Sequence, residues 1–349
     1  KTRGFMGGPA AWQHVVRQQL LTFVRIFQSN PYLFEGAPGM DCGSCSWQHL
    51  YQYLTKFGVD RLIAGDYGKY DKRMDPIFIL AAFDVIIKVL EAAGRSEDDL
   101  QAIRCIAHDV AYPLTDVQGD FIEFFGSNPS GHALTVIINC IANSLYMRYV
   151  FLTLNPKGTV EEFKEYVALI TYGDDNTMGV SEKIPWFNHT SISECLAKYG
   201  VEYTMADKSS ESREYIPIEE VTFLKRSFVP REDIVDEEVI HRVACPLDWQ
   251  SIDKMLTTCT ESTSVCPEEQ AIQSIRSAVG EFFYYGREVF EENVIKMKRI
   301  VANSGISQFV EPSTFPTYDS LLRRYADDRM CCDHARAPVG VYANRVEKK

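Results

Sequence analysis

Tyr172-Gly173-Asp174-Asp175 sets two carboxylates side by side at one point of the chain. One apolar run (167–170) enters the stretch and a second (178–180) leaves it, so it reads as a β-hairpin with the acids at its tip. Two unneutralised acids at one turn repel each other, and a divalent cation is the most economical reason to keep them there. Another acid, Asp66, directly follows a short strand candidate at 61–65. If that strand pairs beside the hairpin, Asp66 and Asp174 meet at one end of the sheet. Three converging carboxylates would suit Mg²⁺, a hard, oxygen-seeking ion. Two such ions can activate an attacking hydroxyl and stabilise a leaving oxygen in phosphoryl transfer. On its own, Asp66 could equally be the cap of the helix that follows it.

The elements that must hold these acids follow from periodicity and breakers. Helical patterns cover 12–27, stopped by Asn30-Pro31, and 47–57, closed by Gly58. Further helices are expected at 76–93, 98–110 and 188–199, the first and last of them ended by Gly94 and Gly200. The turn-rich loop 126–131 launches the longest helix, roughly 132–152, which ends before Asn155-Pro156. Strands are expected at 120–125 and 201–205, and at 220–229 and 240–244 with an acidic loop, 230–238, between the last two. From 246 to about 303 the chain is mostly helical, and beyond about 333 it carries little apolar periodicity. The layout is α+β, helices packed on one antiparallel sheet.

Bulk properties narrow the classes. The chain has 349 residues, 46% hydrophobic and 24% charged, enough for a large core and two or three subdomains. No apolar stretch approaches the ~20 residues of a membrane span, and no signal peptide is visible. The start at Lys1-Thr2-Arg3, without Met, reads as a cut inside a larger polypeptide. A net charge of −12 argues against a protein that coats nucleic acid, but not against an enzyme with a local basic channel. Ten scattered cysteines fit a reducing compartment. Cys42 and Cys45, with Cys331-Cys332-Asp333-His334, hold the parts of a zinc site, although free thiols are the simpler reading.

Five segments stand in a telling order: Asp66-Tyr67-Gly68-Lys69-Tyr70-Asp71, then Ser130-Gly131 with Thr135 and Asn139, then Tyr172-Gly173-Asp174-Asp175, then Thr204-Met205-Ala206-Asp207-Lys208-Ser209, then Phe223-Leu224-Lys225-Arg226. Together they resemble the A, B, C, D and E motifs of the RNA-dependent RNA polymerases of picornavirus-like positive-strand RNA viruses. Lys1-Thr2-Arg3 resembles the end of their F motif. The resemblance is strong to about Pro246 and weak beyond it, where a thumb would lie. It implies a right-hand polymerase fold. Partial fingers would span 1–60, the palm 61–229 (with a finger-side insertion at about 95–125), a helical thumb 230–332 and a tail 333–349.

The resemblance also implies roles. Asp66 and Asp174 would be metal ligands and Asp175 a supporting carboxylate, with two Mg²⁺ ions, or Mn²⁺, as cofactor. Lys208 would be the general acid for leaving pyrophosphate, and Lys1 and Arg3 would clamp the triphosphate. Asp71 would sense the ribose 2′-hydroxyl with Ser130, Gly131, Thr135 and Asn139. Thr135 and Asn139 share one helix face, which suits that part. Lys225 and Arg226 would lie near the primer backbone, and Lys296, Lys298 and Arg299 could touch duplex product. The residue-level alternatives are an N-cap role for Ser130, a core amide for Asn139 and a surface pair of Lys208 with Asp207. The charges at Lys69, Lys72 and Arg73 depart from the small residues common around Asp71 in the family.

The function so implied is template-directed RNA synthesis from ribonucleoside triphosphates in viral genome replication. RNA template and primer and other viral replication proteins would be partners, at membrane-associated replication complexes in the host cytoplasm. Two rivals stand: a reverse transcriptase, which shares the palm, and an inactive chain whose acidic cluster holds a structural ion.

Overall fold

A computed structural model of the chain describes residues 7–207 and 210–335, with side chains as far as 327. Lys1, Arg3, Lys208 and the end of the tail lie outside the described residues, as do the side chains of Cys331, Cys332, Asp333 and His334. The chain divides into two compact units. The first holds residues to Met40 and Tyr53–Ile218; the second holds Asp41–Gln52 and Glu219–Ala337. Residues 41–52 and 219–229 thus fall in the second unit.

The first unit is built on a four-stranded sheet in the order Val167–Tyr172, Asp175–Val180, Leu62–Tyr67, Tyr203–Met205. Every neighbouring pair is antiparallel. Its strands read as near-continuous buried runs because the helices Ala10–Ser29, Pro76–Ala92, Glu97–Ala111, Thr135–Leu154 and His189–Ala197 share one core with it. The helix starts are specified locally: Asp75 accepts from the Ile77 N–H, Ser96 from the Asp99 N–H, and Asn188 forms a capping box with Ser191. The outer strand, Val167–Tyr172, is not left open. Thr171 N–H donates to the Glu35 carbonyl and Ala37 N–H to the Thr171 carbonyl, so a loop closes that edge.

Thr135–Leu154 corrects one expectation. By length and composition this 20-residue helix is apolar enough to cross a membrane. Here Ile138, Cys140, Ala142, Met147 and Val150 are wholly buried, so it serves as the central helix of the core. It also starts three residues later than expected, because residues 128–134 are held in a hydrogen-bonded loop. Leu62–Tyr67 extends through Asp66, which is therefore a strand residue and not a helix cap.

Gly65 shows how tightly this sheet is packed. A Cβ there would lie 2.0 Å from the Tyr203 ring carbon and hydroxyl. Tyr203 cannot retreat cheaply: it is buried, stacked on His189, and donates its O–H to Asn176 Oδ1 at 2.7 Å. Gly65→Ala should therefore destabilise by about 1–3 kcal/mol through overpacking. Thermal melting checks this, and an unchanged midpoint would mean that the tyrosine moves freely.

In the second unit, the helices Trp249–Thr257, Pro267–Phe282, Arg287–Asn303 and Tyr318–Ala335 enclose a core that includes Ile252, Ile275, Phe282, Phe290 and Leu322. Trp47 stacks on Phe228 at 4.4 Å, which ties residues 41–52 into this unit. The expected acidic loop is instead a hairpin, Val229–Val235 paired with Glu238–Ala244 around a turn at Asp236-Glu237. Its acids fit a strand because partners stand across from them. Asp233 accepts from buried Arg242 at 2.6 Å, and Glu232 faces His241. A second hairpin, Leu114–Val117 with Asp120–Glu123 in the first unit, supplies the partner of the strand expected at 120–125.

Candidate active site

The acidic hairpin has the expected form. Strands Val167–Tyr172 and Asp175–Val180 pair through Tyr172↔Asp175, leaving Gly173 and Asp174 as the two-residue loop. Gly173 has φ +65°, a left-handed conformation that a glycine adopts without strain. Asp174 is exposed at the tip and Asp175 half-buried. On the next strand Gly65 pairs with Asn176, and continuing that register by one residue sets Asp66 opposite Asp175. Pleating then decides the faces. Tyr67 and Asn176 reach the helix Thr135–Leu154, so Asp66 and Asp175 point to the other side of the sheet. The sheet therefore carries two carboxylates on one face of adjacent strands, with Asp174 at the turn beside them. These are hard oxygen donors of the kind a divalent cation takes. No three His, Cys, Asp or Glu side chains among the described residues form a metal-holding group, so the expected cage of three converging carboxylates is not assembled there.

Behind the hairpin lies a polar layer that the sequence reading missed. Asn143, wholly buried, donates from its amide to the carbonyls of Gly173 at 3.0 Å and Asp174 at 3.4 Å. Its own amide oxygen accepts from Asn176 at 2.9 Å and from the Tyr67 hydroxyl at 3.1 Å. The Cys140 thiol accepts from the Gly173 N–H at 3.3 Å, and burial pushes that thiol up to about 11, so it stays protonated. Burial likewise raises the Tyr67 and Tyr203 hydroxyls well above the usual phenol range, keeping both as donors. The backbone of the acidic turn is thus held from below by neutral groups that add no charge near the carboxylates. The signal that would have revealed Asn143 is its place four residues after Asn139, a second amide on one face of a mostly apolar helix.

Asp71 sits in the one-turn helix Tyr70–Arg73 just after the Asp66 strand. Asn139 donates to its Oδ1 at 2.7 Å, so the structure brings these two sugar-sensing candidates together. It does not bring the others to Asp71 in the same way. The Thr135 hydroxyl donates to loop carbonyls, to Pro129 at 2.7 Å and His132 at 3.0 Å. Ser130 is exposed, and the helix begins at Thr135 without a side-chain cap, which removes the N-cap reading of Ser130. Gly131 accepts from the Gln13 amide through its carbonyl at 2.7 Å.

Within the second unit, Lys225 and Arg226 part ways. Leu224 and Lys225, both at positive φ, form the turn between Thr222–Phe223 and Arg226–Ser227. Lys225 is exposed and donates to the Ser251 hydroxyl at 3.1 Å. Arg226 is committed: it makes a bidentate pair with Glu281, both bonds 2.8 Å, and donates to the Cys245 carbonyl. It braces the hairpin rather than offering a guanidinium to a strand. Lys296 pairs with Glu292, Lys298 lies over the Phe315 ring, and Arg299 is exposed on the same helix. Cys42 and Cys45 are free thiols.

Residues 1–300 match the family model described as viral RNA-dependent RNA polymerase. The chain is 28% identical over 330 residues to the replicase polyprotein of cricket paralysis virus, and 30% identical over 304 residues to that of Drosophila C virus. These alignments cover 91% and 84% of this chain but only 18% and 17% of the polyproteins, so the chain spans less than a fifth of their length. Among solved structures it is similar to the Sicinivirus 3Dpol RNA-dependent RNA polymerase, with a TM-score of 0.70 and 20% identity, over 91% of this chain and 62% of that one. That likeness gives the fold: a right-hand polymerase architecture.

Proposed function

The chain belongs to the viral RNA-dependent RNA polymerase family, and from that premise we propose that it performs template-directed RNA synthesis. The primer 3′-hydroxyl attacks the α-phosphate of a ribonucleoside triphosphate and pyrophosphate leaves. The observation that carries this reading is the placement of Asp66 and Asp175 on one face of adjacent strands, with Asp174 at the turn beside them. The family implies a divalent metal, and the carboxylate set suits two Mg²⁺ ions, with Mn²⁺ as substitute. Mg²⁺ in polymerases is held by one or two carboxylates plus substrate phosphates, so the protein need not supply a complete cage. When bound, the metal neutralises charge that builds on the attacking and leaving oxygens.

The chain's own residues do the rest. Asp66 and Asp174 would hold the metal, with Asp175 supporting them. Lys208 protonates the leaving pyrophosphate, and Lys1 and Arg3 take the triphosphate oxygens. Asp71 accepts from the ribose 2′-hydroxyl while Asn139 holds its other side. Ser130, Gly131 and Thr135 shape the loop against which the nucleotide lies. Lys225 contacts the primer backbone and Arg226 steadies its hairpin. Template, primer and other viral replication proteins are the partners, at membrane-associated complexes in the host cytoplasm.

Primer extension on an RNA template tests the reading, in this chain and in the longest polypeptide that carries it. A site built to hydrogen-bond a substrate hydroxyl rejects the analogue lacking it by a factor on the order of 10⁴, so ribonucleotides should be incorporated over deoxyribonucleotides by that margin. Preference for deoxyribonucleotides would make the chain a reverse transcriptase. No metal-dependent incorporation in either polypeptide would leave the acidic cluster a structural one.

A further inference from the structure

Asn139 can help Asp71 only if its NH₂, not its carbonyl, faces the carboxylate. An asparagine amide is nearly symmetric in shape, so something must set that direction. Two backbone groups of fixed polarity do so here. The Leu134 N–H can only donate, and it donates to His132 Nδ1 at 3.3 Å. His132 Nε2 therefore carries the proton and donates to Asn128 Oδ1 at 2.9 Å. At the other end, the Thr135 carbonyl can only accept, and it takes one N–H of Asn128 at 3.1 Å. Both constraints orient the Asn128 amide the same way. Its second N–H then donates to Asn139 Oδ1 at 2.8 Å, and the Asn139 NH₂ is left facing Asp71 at 2.7 Å. Asn128 is 1% exposed, His132 8% and Asn139 6%, so water does not compete for these groups. Burial also pushes the His132 imidazole down to about 4, which keeps it neutral, while the Leu134 N–H on Nδ1 selects the tautomer.

We propose that Asn128 and His132 are positioning residues for ribose selection: the chain His132–Asn128–Asn139–Asp71 fixes the direction of the Asn139 amide and so holds Asp71 as an acceptor for the sugar 2′-hydroxyl. Neither residue touches the nucleotide; each acts through Asn139. The proposal rests on the polymerase reading for its substrate, but the hydrogen-bond chain can be tested apart from it.

Asn128→Asp is nearly isosteric but replaces the NH₂ with acceptors. It cannot donate to Asn139 Oδ1, so the new carboxylate competes with Asp71 for the one Asn139 NH₂, and either orientation leaves a carbonyl facing a carboxylate. Asp71→Asn in the same chain restores a donor there. Four proteins, the wild type, Asn128→Asp, Asp71→Asn and the double variant, are compared by melting temperature and by ribonucleotide-to-deoxyribonucleotide incorporation in primer extension. The expected result is that Asn128→Asp lowers the incorporation ratio at least tenfold, chiefly through KM for the ribonucleotide. The double variant should melt higher than the sum of the two single shifts. A wild-type ratio in Asn128→Asp, or strictly additive melting shifts, overturns the proposal. If the wild type itself extends no primer, the polymerase reading falls, while the melting cycle still decides whether Asn128 orients Asn139 against Asp71.

Discussion

Asp174→Asn will lower RNA primer extension by about 10³-fold or more while leaving the fold intact. The substitution keeps the shape of the side chain and removes its charge from the turn where the proposed metal is held. Loss of several kcal/mol of charge stabilisation at the reacting phosphate, with each tenfold in rate equal to about 1.4 kcal/mol, gives a fall of that order. Melting should change little, because Asp174 is exposed and the buried bonds that fix the turn run from Asn143 to the backbone carbonyls of Gly173 and Asp174, which the substitution keeps. Asp175→Asn should cost less, about tenfold, if its carboxylate supports rather than holds the ion. Primer extension with each variant, at saturating and limiting metal, decides. Undiminished extension by Asp174→Asn would remove the acidic turn from the mechanism.

The largest effect on stability is expected far from those carboxylates in sequence. Glu35 is 1% exposed, and Arg148 of the long helix reaches it with two bonds, 2.6 and 2.9 Å. The Ser144 hydroxyl donates to the same carboxylate at 2.7 Å, and Lys164 stands 3.8 Å away. Arg148→Met keeps the apolar stem but leaves a buried carboxylate without its main partner, which destabilises by about 3–5 kcal/mol. For a body of this size, that is a fall in melting temperature of roughly 6–20 °C. The double variant Glu35→Gln/Arg148→Met should recover much of the loss, since the uncompensated charge is gone. A drop under about 2 °C for Arg148→Met would show that Lys164 and solvent already balance Glu35. The effect should also reach the active site. The Glu35 carbonyl accepts both the N–H and the hydroxyl of Thr171, at 2.9 and 2.7 Å, two residues before Gly173.

These two predictions mark the line between what was legible in the sequence and what was not. The acidic hairpin was legible because its signals are local: apolar runs that pair, and a glycine where the turn needs φ > 0. The helix starts at Pro76 and His189 were legible for the same reason, each preceded by a residue that can cap it. The five motifs added order and spacing, and with them the polymerase family. The misreadings fell where a distant partner overrides local preference. The acids of Val229–Val235 read as a loop until Arg242 and His241 appear across the strand. Residues 132–134 read as the first turn of a helix until the side chains of Asn128, His132 and Thr135 bind the loop.

By itself, then, the sequence determined the chemistry available: which carboxylates exist, that one pair sits on a tight turn, and the order in which the motifs arrive. Only the tertiary structure decided how those groups are aimed. Strand register set Asp66 opposite Asp175, pleating chose their face, and buried amides on the helix Thr135–Leu154 hold the acidic turn from below and Asp71 from the side. Direction is a property of hydrogen bonds between residues far apart in sequence, 138 positions in the case of Asp66 and Thr204. Composition and spacing carry no record of such bonds until the chain is folded.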